Sequence, residues 1–144
     1  IIGGILTMFY IKGKNDETII ASDNGISKKN DKVLKVLEDE CIKHFSTLSG
    51  RVKAIRKMFK YVKLTPIYIN EEIILIYFTP LNNKKILFIN AMAVKRVIEN
   101  DNKTIVFFNS HEGLEVDAKI KQVKLSLKKA HVIEEYAKQK RYIY

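Results

Sequence analysis

Cysteine is nearly absent: the 144-residue chain has one, Cys41. That excludes an intramolecular disulfide framework and a cysteine-rich zinc site. The three histidines, His44, His111 and His131, are too scattered for a metal-ligand motif, so neither metal nor cofactor is expected. Long apolar runs are missing as well. The longest uncharged one is Ile1 to Ile11, whereas a membrane-spanning helix needs about 20 residues. It lacks the basic leader of a signal peptide. The chain opens on Ile, and residues 1–7 are read as an upstream extension, with Met8 as the candidate natural start. A reducing cytosol is the expected compartment.

Catalytic signatures are missing too. There is no G-x-G-x-x-G, G-x-x-x-x-G-K, G-x-S-x-G or H-E-x-x-H motif. Cys41 and His44 stand three apart, a common accident, and Cys41 is read as a buried packing residue. Glu38, Asp39 and Glu40 are consecutive, so on a helix they point to different faces and are read as surface residues. Tyr77-Phe78 and Phe107-Phe108 are read as alternating core and surface positions of strands, not stacking platforms. No enzyme is expected.

Acid is missing from one particular stretch. Residues 41–70 hold seven basic groups and no acidic one. Residues 118–144 hold eight basic and two acidic groups. Everywhere else the signs nearly balance, so the whole formal charge of +10 comes from these two segments. Localised positive charge points to a contact surface for a polyanion.

Both segments read as amphipathic helices. In the first, helical spacing over 49–63 gathers Val52, Ile55, Phe59 and Val62 on one side, with Ala54 and Met58 flanking. Lys53, Arg56, Lys57, Lys60 and Lys63 fall on the other. Ser49 marks its start, and Thr65-Pro66 closes it. Ordinary solvated helices mix charge signs to gain i,i+4 pairs, and this face does not. In the second, over about 119–140, Ile120, Val123, Leu127, Ala130, Ile133 and Ala137 are the apolar set. Lys121, Lys124 and Lys128 share another face with His131, and Glu134 and Glu135 dilute that charge.

The remainder reads as strands. Met8–Ile11 and Thr18–Ala21 form a hairpin around Gly13–Asp16, followed by a polar loop over Ser22–Asn30. A helix from Asp31 to Phe45 has Val33, Leu34, Leu37, Cys41, Ile42 and Phe45 as its apolar set. Ile67–Ile69, Ile73–Phe78 and Ile86–Ile89 are strands; Val94–Ile98 is a strand or one helical turn. Glu99–Asn102 is a turn, and Thr104–Phe108 pairs with Leu114–Val116 as a hairpin. There is no internal repeat or low-complexity linker. The expected fold is a single α+β domain spanning 1–144: a strand-rich antiparallel sheet, one or two helices in the first half, and an amphipathic C-terminal helix.

Three blocks resemble a known family. The first is Cys41-Ile42-Lys43-His44-Phe45 followed by Ser49-Gly50-Arg51. The second is Thr65-Pro66-Ile67 with the apolar strand Ile73–Thr79, ending Phe78-Thr79-Pro80. The third is Phe88-Ile89-Asn90, then Thr104–Asn109 and Leu114–Val116, with Lys129 at a basic position of the final helix. In order and spacing, over about residues 35–133, they resemble the ComK-like competence transcription factors of low-GC Gram-positive bacteria. Leu48 stands where that family has an aromatic residue, and Lys119 where it has Ser. The resemblance implies a nucleoid-associated transcription regulator that binds A/T-rich double-stranded DNA through the minor groove. It further implies a homodimer or higher multimer, with RNA polymerase or a proteolysis adaptor as further partners. Arg51, at the Gly-Arg position, is the expected groove-inserting residue, since narrow minor grooves attract arginine. Lys53, Arg56, Lys57, Lys60 and Lys63 would hold phosphates, with Lys121, Lys124 and Lys128 secondary. The same basic face also fits a non-catalytic module that docks on anionic lipid or an acidic protein partner, because charge alone does not choose among polyanions.

Overall fold

The computed structural model describes residues 7–109 and 112–141. Met8 falls within the first strand, whereas the extension read at residues 1–7 lies, apart from Thr7, outside the described residues. The architecture is α+β. Six antiparallel strands, β1 (Met8–Lys14), β2 (Glu17–Ser22), β3 (Gly25–Lys29), β4 (Ile67–Asn70), β5 (Ile73–Ile76) and β6 (Leu87–Asn90), pair in the order β3-β2-β1-β6-β5-β4. A second sheet of three, β7 (Arg96–Asn100), β8 (Lys103–Phe107) and β9 (Gly113–Val116), is built from two consecutive hairpins. The helices are α1 (Val33–Lys43), α2 (Leu48–Phe59) and α3 (Ile120–Arg141). No helix among the described residues is long and apolar enough to cross a membrane.

The central strands are apolar without alternation because both faces of the large sheet are covered. Along β5, Leu75 points into a core shared with Val33, Leu37 and Cys41 of α1, whereas Ile74 and Ile76 point into a core shared with α3 and the small sheet. Neighbouring β6 splits the same way, Phe88 to the first core and Ile89 to the second. Val106, Val116, Val123, Ala130 and Ile133 close the second core from outside.

One polar side chain sits where these layers meet. Asn90 is buried at the end of β6. Its Oδ1 accepts from the Ile74 and Met92 N–H groups, each at 3.2 Å. Its Nδ2 donates to the Met8 carbonyl at 2.8 Å and the Glu72 carbonyl at 3.0 Å. Two buried hydroxyls fix the entries to the helices: Thr18 donates to the Asp31 carbonyl ahead of α1, and Thr104 to the Ala118 carbonyl ahead of α3. Gly13 is required by close approach, since a Cβ there would stand 2.5 Å from the Lys84 carbonyl oxygen.

Several expectations change. The Ser22–Asn30 segment is not all loop: Gly25, at φ 108°, turns the chain so that Gly25–Lys29 pairs with β2. All five β3 residues are exposed. Its pairing is therefore backbone hydrogen bonding that leaves no apolar rhythm in the sequence. Of the two readings of Val94–Ile98 the strand holds, as β7 from Arg96, and the helical turn lies just before it, a 3₁₀ turn over Ala91–Ala93. Ile42 and Phe45, expected in the apolar set of α1, are 57% and 100% exposed: Ile42 is on the helix but outside its buried face, and Phe45 lies beyond the helix end at Lys43 with a left-handed φ of 58°.

Asn90→Ala would strand the Ile74 N–H in the interior and leave three part-buried backbone groups without their partner, and we expect it to cost about 2–4 kcal/mol in urea denaturation. Asn90→Asp is expected to be at least as harmful, because it removes both donated bonds and buries a carboxylate. Cys41 is fully enclosed, and burial pushes its thiol pKa up, partly offset by the Arg51 charge. A raised folded-state value means that the thiol's contribution to stability is complete below the ordinary thiol range and is lost as pH climbs through it. Iodoacetamide at mildly alkaline pH should leave native Cys41 unmodified and alkylate it only once the chain is unfolded.

Candidate functional site

Helix α2 carries the acid-free basic segment, and it is pinned at its start by two acceptors. Thr47, not Ser49, is the N-cap, its Oγ1 accepting from the Gly50 N–H at 3.0 Å. Glu38 of α1 accepts from the Leu48 N–H at 2.9 Å. That carboxylate, read from the sequence as a surface residue, faces the positive end of the helix dipole. The far end comes earlier than the spacing predicts. Lys60 adopts a left-handed φ of 61° with its N–H on the Arg56 carbonyl. Val62 and Lys63 therefore lie beyond the helix, and Val62 is 77% exposed.

The helix packs along the edge of the large sheet. Strand β4 has one strand partner, and an unpaired edge exposes carbonyls that must find donors or water. Arg51 supplies them: its Nη1 donates to the Tyr68 carbonyl at 2.7 Å and the Ile69 carbonyl at 3.0 Å. The guanidinium carbon stands 5.5 Å from the centre of the Tyr68 ring. Val52 enters the core on the α1 side of the sheet and Ile55 the core on the α3 side, so α2 straddles the edge. Arg56 flanks it, its Nε donating to Oγ1 of buried Thr65 at 2.9 Å. Its charge partly offsets the rise that burial imposes on the Tyr77 phenol.

The basic residues of 41–70 therefore separate into two groups. Arg51 and Arg56 make hydrogen bonds inside the fold. Lys53, Lys57, Lys60 and Lys63 are exposed, and none makes an ion pair among the described residues. On α3, Lys121, Lys124 and Lys128 are likewise exposed and unpaired among the described residues. His131 and Lys138 both engage Glu134, at 3.2 and 3.3 Å.

The two segments meet through aromatic rings. Phe59 at the end of α2 stacks on Tyr61 at 5.7 Å and meets Tyr136 of α3 edge-on at 5.6 Å. Lys129 lies over the Tyr61 ring at 5.0 Å. Phe59 and Lys128 line one shallow depression. Helical geometry puts Lys53 and Lys57 on the side of α2 away from this joint. The basic segments thus adjoin where Lys128 and Lys129 come beside Phe59 and Tyr61. No local signal marks the joint in the sequence, because its rings come from distant parts of the chain.

Among the described residues no group of His, Cys, Asp and Glu could hold a metal ion. Cys41 is enclosed and His44 exposed, so the two do not face one way as a nucleophilic pair would. The arrangement offers fixed positive charge on a rigid edge.

A family model described as ComK protein matches residues 5–142. No curated protein and no solved structure matches the chain.

Arg51→Ala should loosen α2 from β4 and cost about 2–3 kcal/mol, the range for a charged donor lost from partly buried acceptors. Arg51→Lys keeps the charge without the planar fork and should recover only part of that. A urea titration of both variants checks the ordering.

Proposed function

Because the chain belongs to the ComK family, we propose that it is a non-catalytic transcription regulator of the competence type that binds double-stranded DNA. What carries this reading is the lysine row of α2, exposed and free of ion pairs among the described residues, in a segment without one acidic residue. Holding unpaired like charges together on one helix is unfavourable for the isolated chain. It becomes favourable when phosphates replace the counterions around them. Charge alone would equally suit an anionic membrane, and family membership favours DNA.

In this proposal Lys53, Lys57, Lys60 and Lys63 take phosphates, joined by Lys121 and Lys124 on α3. The DNA is A/T-rich and read through its narrow minor groove, where potential and width discriminate more than base edges do. Arg51 stands at the start of the row. Its insertion into a groove exchanges the Tyr68 and Ile69 carbonyls for acceptors on bases, which couples DNA contact to the hold of α2 on the sheet. The regulator acts as a homodimer or higher multimer, so that two such rows meet one duplex.

Filter binding to A/T-rich and G/C-rich duplexes across a salt series tests this. Affinity should fall steeply with salt and favour the A/T-rich duplex. Lys53→Glu with Lys57→Glu should lower the slope of log affinity against log salt by roughly two, about one per lost phosphate contact. Thermal stability should stay within about 0.5 kcal/mol of the parent, as for other surface changes. Affinity flat with salt and indifferent to base composition would refute the reading.

A further inference from the structure

Helix α3 bears a second apolar stripe that its own fold leaves largely open, with Tyr136 touched on one side by Phe59. Val123, Ala130 and Ile133 pack inward. Leu125, Val132 and Tyr136 are 54%, 43% and 36% exposed. They follow at separations of seven and four residues, the rhythm by which one helix seats against another. Along one flank stand Lys128 and Glu135, two turns apart and so on the same side of Val132. Both are exposed, and neither has an ion pair among the described residues, although adjacent Glu134 takes two partners. Lys128, Val132, Glu135 and Tyr136 line a single shallow depression.

We propose that this stripe is the contact between two copies of the chain, their α3 helices packed antiparallel about a two-fold axis at Val132. The charges set the orientation. A two-fold axis perpendicular to both helices keeps every residue on its own flank and reverses its position along the helix. Lys128 lies four residues before Val132 and Glu135 three after. Lys128 of one copy therefore comes beside Glu135 of the other, and symmetry makes the pair twice. A parallel pairing would put each lysine on the flank opposite the other copy's glutamate and form neither. Two unpaired, oppositely charged residues flanking a largely open apolar stripe are the complement that a second copy supplies. This deepens the self-association within the DNA-binding reading, and it gives Lys128 a role between subunits, not on phosphate. Lys53 and Lys57 lie outside the contact and remain open to a duplex.

Sedimentation velocity on the full chain without DNA, over a micromolar concentration series, tests the surface. The parent should form a reversible dimer. Lys128→Glu and Glu135→Lys should each weaken it about tenfold or more, since each places like charges together twice. The double variant carrying both changes should regain most of the loss. Val132→Asp should leave monomer, with Leu125→Lys as a second variant and circular dichroism confirming that each one folds. A parent that stays monomeric, a dimer indifferent to the single charge reversals, or a double variant no better than the singles overturns the proposal. The measurement contains no DNA, so its failure is separate from failure of the salt-dependent binding above.

Discussion

A buried carboxamide holds the layers of this protein in register. Asn90 uses both ends of its side chain on backbone groups from four places: β1, the β4–β5 turn, β5 and the 3₁₀ turn behind it. Its position at the end of β6 is demanding, because Asn90 is buried and a buried amide must find partners within the protein. Once Asn90 is satisfied, Phe88 and Ile89 must fall on opposite faces. The two cores then follow from the alternation of β5 and β6.

The same two-sided burial creates the need that α2 meets. A sheet covered above and below still has edges, and they are managed differently here. Strand β3 ends one side with five exposed residues, two of them lysine, a common protection against unwanted pairing. Strand β4 ends the other beneath α2, and Arg51 takes two of its carbonyls. Covering that edge with an amphipathic helix leaves the helix's outer face for the lysines. The basic row is thus a consequence of how the edge is closed, and its rigidity comes from Arg51, Arg56 and the Glu38 and Thr47 caps.

Helix α3 answers to two demands at once. Its inner stripe closes the second core, and its joint with α2, through Phe59, Tyr61 and Tyr136, fixes the basic segments beside each other. Its outer stripe, with Lys128 and Glu135 unpaired among the described residues, is free for a neighbour. One long helix can therefore connect core, basic edge and the proposed subunit contact, because its faces repeat with the period of the helix and not of any one task.

Period and charge were legible from the chain alone. The α+β class, three helices read over about 31–45, 49–63 and 119–140, the β8–β9 hairpin and the acid-free segment follow from local rhythm and composition, which neighbours in space do not alter. Strand β3 was not legible, since a strand that buries no side chain writes no pattern. Nor was the end of α2 at Lys60, where a single left-handed residue outweighs an apolar spacing that runs on to Val62. The sequence determined which residues carry charge. Only the tertiary structure decided what the charges do: Arg51 and Arg56 found carbonyl and hydroxyl acceptors within hydrogen-bonding reach, Lys53 and Lys57 found none among the described residues, and that difference depends on β4 and Thr65, which the chain brings back to α2 only by folding.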